Sequence, residues 1–133
     1  MASVLIIEDD NSLARLYKTK FEVEKFKVQI ASDGPSGLRI AKEIKPDIIL
    51  LDVMLPLMNG FEVLRKLRKN KETKEIPVII LTNYGDMDNI TEGFLRGATE
   101  FMVKVEHTPE EVVETVREVL ESKGSIISRA FES

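Results

Sequence analysis

Apolar residues in this chain fall either into short solid runs or into stretches where they recur every three or four positions. Residues 4–7 and Ile48–Leu51 are unbroken aliphatic runs, as a strand buried on both faces requires. Together with similar runs they give five candidate strands: Ser3–Ile7, Lys27–Ala31, Ile48–Leu51, 77–81 and Glu100–Val103. Five stretches of helical period alternate with them. Leu13, Leu16, Tyr17 and Phe21 mark a helix over 11–24, and Leu38, Ala41 and Ile44 give a second that opens at Pro35 and is stopped by Pro46. Phe61, Leu64 and Leu67 mark the third, and Ile90, Phe94 and Ala98 the fourth. Thr108-Pro109-Glu110-Glu111 reads as a capping box at the start of the fifth, whose inner face is Val112, Val116, Val119 and Leu120 and which Gly124 is expected to end. Strictly alternating strands and helices predict an α/β fold: a parallel sheet with right-handed crossovers and helices on both faces. The pattern assigns 1–122 to one domain and 123–133 to a loosely held tail or linker, in which Ile126, Ile127 and Phe131 are apolar enough to dock.

The chemistry gathers where apolar runs stop. Asp52 directly follows Ile48–Leu51, and Glu8-Asp9-Asp10 directly follow residues 4–7. A carboxylate in mid-strand would be desolvated at a cost of several kcal/mol, so these acids belong at the carboxyl edge of the sheet, where open parallel sheets bind ligands. Pro56 and Asn59-Gly60 shape the loop after Asp52, the latter as a turn able to take positive φ. If the two strands are neighbours, three or four negative oxygens meet. Such a cluster persists only with a cation in it or with solvent close by, and hard oxygen ligands suit Mg²⁺.

The motifs I-I-E-D-D, D-V-M-L-P-L-M-N-G, I-I-L-T and F-M-V-K stand in that order and resemble the receiver domain of two-component response regulators, from Ser3 to about Glu121. The resemblance implies a flavodoxin-like five-stranded sheet of order 2-1-3-4-5, so that the first and third strands are neighbours. It implies a phosphorylation switch rather than an enzyme. Asp52 matches the carboxylate that takes a phosphoryl group from phosphohistidine on a sensor histidine kinase or a histidine phosphotransfer protein. Asp9 and Asp52 match direct Mg²⁺ ligands, Glu8 a ligand acting through water, and Met54 a ligand through its backbone carbonyl. Thr82 matches the hydroxyl that bonds the phosphoryl group, Lys104 the ammonium that neutralises it, and Phe101 the switch aromatic that works with Thr82. Family members usually carry proline after the lysine, in a cis peptide. Here Val105 follows, and a cis bond before a non-proline residue costs about 2.5–4 kcal/mol, so the Lys104–Val105 bond is expected to be trans and the reach of Lys104 is open. Met54 and Tyr84, two residues after the acceptor and the threonine, are bulky and carry no acid or amide, which predicts slow loss of the phosphoryl group.

Singly, these residues have plainer readings. Thr82 is otherwise a helix cap, Lys104 a solvated charge, Phe101 core, Asp10 a helix cap and His107 a loop residue. An aspartate-based phosphohydrolase would carry a second acid two residues after Asp52, where this chain has Met54, and a flavin carrier would not tolerate Glu8-Asp9-Asp10 in its phosphate loop. A receiver-like domain that never takes phosphate is disfavoured because every expected position is filled. The formal charge of −4 argues against a basic nucleic-acid surface on this domain, and the lack of cysteine excludes disulfides and thiolate chemistry. No apolar run approaches the roughly 20 residues of a membrane span, and no signal sequence precedes the first strand, so the cytoplasm is the expected compartment. Only twelve residues follow Glu121, which leaves a stand-alone receiver or the front of a longer regulator, with the output domain or partner unknown. A homodimer formed on phosphorylation also stays open.

Overall fold

A computed structural model describes the backbone of residues 1–132 and the side chains of residues 1–122. Five parallel strands, β1 (Ser3–Ile7), β2 (Lys27–Ala31), β3 (Ile48–Leu51), β4 (Val78–Thr82) and β5 (Glu100–Val103), form one sheet of order β2-β1-β3-β4-β5. The helices between and after them are α1 (Asn11–Val23), α2 (Gly34–Ile44), α3 (Gly60–Lys69), α4 (Met87–Leu95) and α5 (Pro109–Glu132), with a 3-10 turn at Lys104–Glu106. Alternate residues of the central strands enter two cores. Leu5, Ile7, Ile49, Leu51, Val78 and Ile80 pack with Leu38 and Ala41 of α2 and with Phe61, Val63, Leu64 and Leu67 of α3. Val4, Ile6, Ile48, Leu50, Ile79 and Leu81 pack on the other face with Tyr17 and Phe21 of α1 and Val112, Val113 and Val116 of α5. The edge strand β2 instead alternates exposed Lys27 and Gln29 with half-buried Val28 and Ile30.

Helix starts follow the capping residues. Asp10, Asp33, Asn59 and Asp86 each accept a backbone N–H of the first turn of α1, α2, α3 and α4. At α5 the reciprocal box forms: Glu111 N–H donates to Thr108 Oγ1 at 3.2 Å and Thr108 N–H to Glu111 Oε1 at 3.1 Å.

Several expectations need correction. Gly124 does not end α5, which continues to Glu132. A glycine in a helix interior costs only about 1 kcal/mol against alanine, too little to stop a helix by itself. The docking of Ile126, Ile127 and Phe131 lies outside the described side chains. Leu16 and Ile44 are more than two-fifths exposed and do not belong to inner faces; Ala14 and the backbone at Gly34 and Gly37 take those places. In α4 the buried position is Gly93, Phe94 is 48% exposed, and Ala98 lies beyond the helix. A Cβ at Gly93 would come within 2.8 Å of Ile80 Cδ1, so α4 meets the sheet through a missing side chain. After Asp52, positive φ falls on Leu57 (69°) rather than on Asn59-Gly60. Asn59 is the extended N-cap of α3 at φ −67°, and Gly60 serves close approach, since a Cβ there would stand 2.1 Å from the Asp52 carbonyl oxygen.

Candidate phosphoacceptor site at the carboxyl edge of the sheet

Register sets the site. Ile7 pairs with Leu51, so Glu8 and Asp52 leave neighbouring strands side by side, and Thr82 pairs with Val103, the residue before Lys104. The ladder carries on into the acids, with Asp52 N–H donating to the Ile7 carbonyl at 3.1 Å and Glu8 N–H to the Ala31 carbonyl at 2.9 Å. Backbone bonds on rigid strands therefore fix where both carboxylates start.

The side chains then converge. Glu8 and Asp52 are buried, at 4% and 7% exposure, while Asp9 is exposed. One oxygen of each of the three lies within 4.8 Å of the other two. Lys104 Nζ reaches across from the turn just after β5, donating to Asp52 Oδ2 at 2.8 Å and also to Glu8 Oε1. The second Glu8 oxygen accepts the Asp10 N–H at 3.1 Å, and Asp52 Oδ1 accepts the Met54 N–H at 3.3 Å. Burial pushes the Glu8 carboxyl above its ordinary range against the opposing bonds from Lys104 and Asp10 N–H, and the Asp52 charge adds to the rise. Burial alone would lower the Lys104 ammonium, but its bonds to Asp52 and Glu8 outweigh this and hold it above its ordinary range. Both groups hold their protons more tightly than usual, Glu8 chiefly because burial disfavours its charged form and Lys104 because two carboxylates bond to its ammonium.

Three clustered carboxylates with one solvent-facing member are a hard-oxygen donor set that fits a small divalent cation. The Lys104–Val105 bond is trans, since no peptide among the described residues is cis, and Lys104 attains the acids all the same. Thr82 is fully buried at the end of β4 and its Oγ1 accepts the Tyr84 N–H at 3.4 Å. Phe101 is half-buried against the α2/α3 core and flanks Gly93. Met54 and Tyr84 are 53% and 50% exposed, on the loops beside Asp52 and Thr82. Asp10 is the α1 cap, and His107 sits in the loop before α5, 3.5 Å from Glu111. A hydrogen bond absent from the sequence reading joins Val105 N–H to Asn83 Oδ1 at 3.2 Å. A surface groove of about 640 Å³ lies away from the acids, between β5 and α5 beside Phe101 and Val119.

Residues 4–127 match the response regulator receiver domain. The chain belongs to that family. Over its whole length it is 36% identical to the DNA-binding dual master transcriptional regulator RpaA of Synechocystis, covering 55% of that protein. Over 88% of its length it is 41% identical to the transcriptional regulatory protein SrrA of Staphylococcus aureus, covering 47% of it. The chain thus spans about half the length of these curated relatives. Among solved structures, chemotaxis protein CheY4 of Vibrio cholerae superposes with a TM-score of 0.84 at 31% identity, over 90% of this chain and 98% of that one. A CheY-like receiver from Methanospirillum hungatei gives 0.87 at 26% identity, over 94% and 98%. Membership makes this receiver a switch of phosphorylation-dependent two-component signalling, in a family that uses Mg²⁺ at an acidic pocket and works with histidine kinases and output domains. Among the described residues no helix is long and apolar enough to cross a membrane.

Proposed function

We propose that Asp52 accepts the phosphoryl group, from phosphohistidine on a sensor histidine kinase or histidine phosphotransfer protein. The observation that carries this reading is the convergence on Asp52: a buried carboxylate at a strand end, its Oδ2 held 2.8 Å from the Lys104 ammonium, with Glu8 and Asp9 beside it. Asp52 is the nucleophile. An Asp52 oxygen forms the bond to phosphorus as the bond from phosphorus to the histidine nitrogen breaks, and the imidazole keeps that electron pair. Phosphoryl transfer needs little covalent chemistry from a protein beyond positioning and charge neutralisation. Bound Mg²⁺ supplies the charge that lets an anionic donor approach these acids. Glu8, Asp9, Asp52 and the Met54 carbonyl would hold it. Lys104 neutralises the transferred group, and the Thr82 hydroxyl donates to one of its oxygens while still accepting the Tyr84 N–H. Thr82 and Phe101 then carry the change to the partner-binding face. Output belongs to a further domain or a separate partner, and this domain does not itself bind nucleic acid.

Incubation with acetyl phosphate and Mg²⁺ is expected to add one phosphoryl group, detected by intact mass. Undiminished labelling of Asp52→Asn, or equal labelling in EDTA, would refute the assignment.

A further inference from the structure

The two groups proposed to meet the phosphoryl oxygens come from different strands. Thr82 is the last residue of β4, and Lys104 follows the last residue of β5. The ladder between those strands ends at the pair Thr82–Val103. Beyond it the backbones diverge, one into the loop 83–86 and the other into the turn Lys104–Glu106.

One bond crosses that gap. Val105 N–H, the residue after Lys104, donates to the side-chain oxygen of Asn83, the residue after Thr82, at 3.2 Å. The carboxamide oxygen is the group of Asn83 that can accept from an N–H. The donor exists because position 105 is not proline, which has no N–H. Close packing lies beside it: a Cβ on Gly85 would fall 2.2 Å from Val103 Cγ2, so the loop after β4 rests on the end of β5.

The geometry points to Asn83 as a positioning residue for Lys104: its bond to Val105 N–H extends the β4–β5 ladder past the last strand pair and makes the Thr82 and Lys104 ends move together. This rests on the reading of Asp52 as phosphoryl acceptor. Lys104 reaches Asp52 and Glu8 through four methylenes from a turn outside the sheet, so where Nζ lies depends on where that turn is held. The acids, by contrast, are fixed from β1 and β3. Loosening Asn83 therefore disturbs Lys104 and leaves the carboxylate cluster as it is.

The test compares wild type, Asn83→Ala, Lys104→Met and the double variant. Asn83→Ala is expected to slow uptake from acetyl phosphate about threefold to tenfold, with the Mg²⁺ affinity within about twofold of wild type. In the Lys104→Met background the same change is expected to have no further effect, because the bond acts through Lys104. A merely structural role for Asn83 would slow both backgrounds alike, and that result overturns the proposal. A second readout is amide exchange at Val105, expected to quicken severalfold in Asn83→Ala while exchange at Ile7 and Leu51 is unchanged. If wild type takes up no phosphoryl group, it is the proposed function that falls. Val105 exchange then still decides the latch, and no change in Asn83→Ala refutes it.

Discussion

Lys104→Met removes the one ammonium that bridges Glu8 and Asp52 while keeping a side chain of similar length. Lys104 exposes only 11% of its side chain and its two partners 5% and 8%, so this is an ion pair largely withdrawn from water. Two unit charges 4.8 Å apart, the outer limit of the carboxylate spacing, repel by roughly 3.5 kcal/mol at an effective dielectric of about 20. Removing one partner of a buried ion pair costs about 3–5 kcal/mol, in agreement. For a domain of this size that is a fall in Tm on the order of 10–20 °C in metal-free buffer at pH 7. The loss depends on pH with a definite sign. Without Lys104 the Glu8 carboxyl loses the bond that opposes its upward shift, so its folded-state value rises further above the unfolded one. The folded chain then binds more protons than the unfolded chain between those two values. The relief is complete below the unfolded value, about 4.3, and disappears as pH rises through the folded one. The penalty of Lys104→Met is therefore expected to shrink between pH 7 and pH 5. Saturating Mg²⁺ at pH 7 is expected to raise the Tm of the variant more than that of wild type, because it supplies countercharge to the same carboxylates. Thermal melts by circular dichroism, in EDTA and in Mg²⁺ at both pH values, check all three points. A variant as stable as wild type in EDTA at pH 7, or a deficit equally large at pH 5, would refute the reasoning.

Met54→Asn is expected to speed phosphoryl loss at least about tenfold, part of the ~10²–10⁴ that a group positioning the attacking water contributes; phosphate release after donor removal measures it, and an unchanged rate sinks the shielding role of Met54 and Tyr84. Gly60→Ala puts a methyl 2.1 Å from the Asp52 carbonyl oxygen and 2.8 Å from Val53 Cα, both backbone atoms that cannot step aside, so it is expected to cost at least about 2–3 kcal/mol in urea unfolding and to slow phosphorylation. Thr73→Val removes the buried hydroxyl that donates to the Leu67 carbonyl at 2.7 Å near the end of α3; a loss of about 1–3 kcal/mol is expected with phosphoryl uptake unaltered, which separates support of the fold from support of the site.

The sheet was legible because its central strands are solid aliphatic runs, and a strand buried on both faces leaves no other composition open. Strand order was less so. Spacing placed acids at the ends of two strands, but their adjacency came from the resemblance to receivers, and the pairing of Ile7 with Leu51 supplies it physically. Helix faces were read well where large residues do the packing, as with Phe21 or Leu64. They were misread in α4, where the contact is made by Gly93. A scale of apolar side chains gives a glycine no weight, so it pointed to Phe94, which is half exposed. The end of α5 was misplaced for a related reason: glycine was read as a stop signal, when it is one only if the chain turns left-handed there.

At the site the identities of the polar groups were readable and their connections were not. Nothing in the string F-M-V-K-V-E tells that Lys104 spans two carboxylates, because that depends on where a turn outside the sheet is anchored. The loop after Asp52 shows how such constraints propagate. Gly60 presses its backbone onto the Asp52 carbonyl and donates its N–H to Val53 at 2.7 Å, which draws the start of α3 beneath the strand end. The chain between must reverse within a few residues, and it does so at Leu57, where Met58 N–H bonds back to the Pro56 carbonyl at 2.8 Å in a γ-turn and φ is 69°. A leucine held there costs on the order of 1–3 kcal/mol, and with 84% of its surface exposed it recovers little by burial. The Asn59-Gly60 signal thus located the tight place correctly and put the strain on the wrong residue. Glycine stands where two backbones touch, and the positive φ falls three residues earlier, on the side chain that faces solvent and is free to yield.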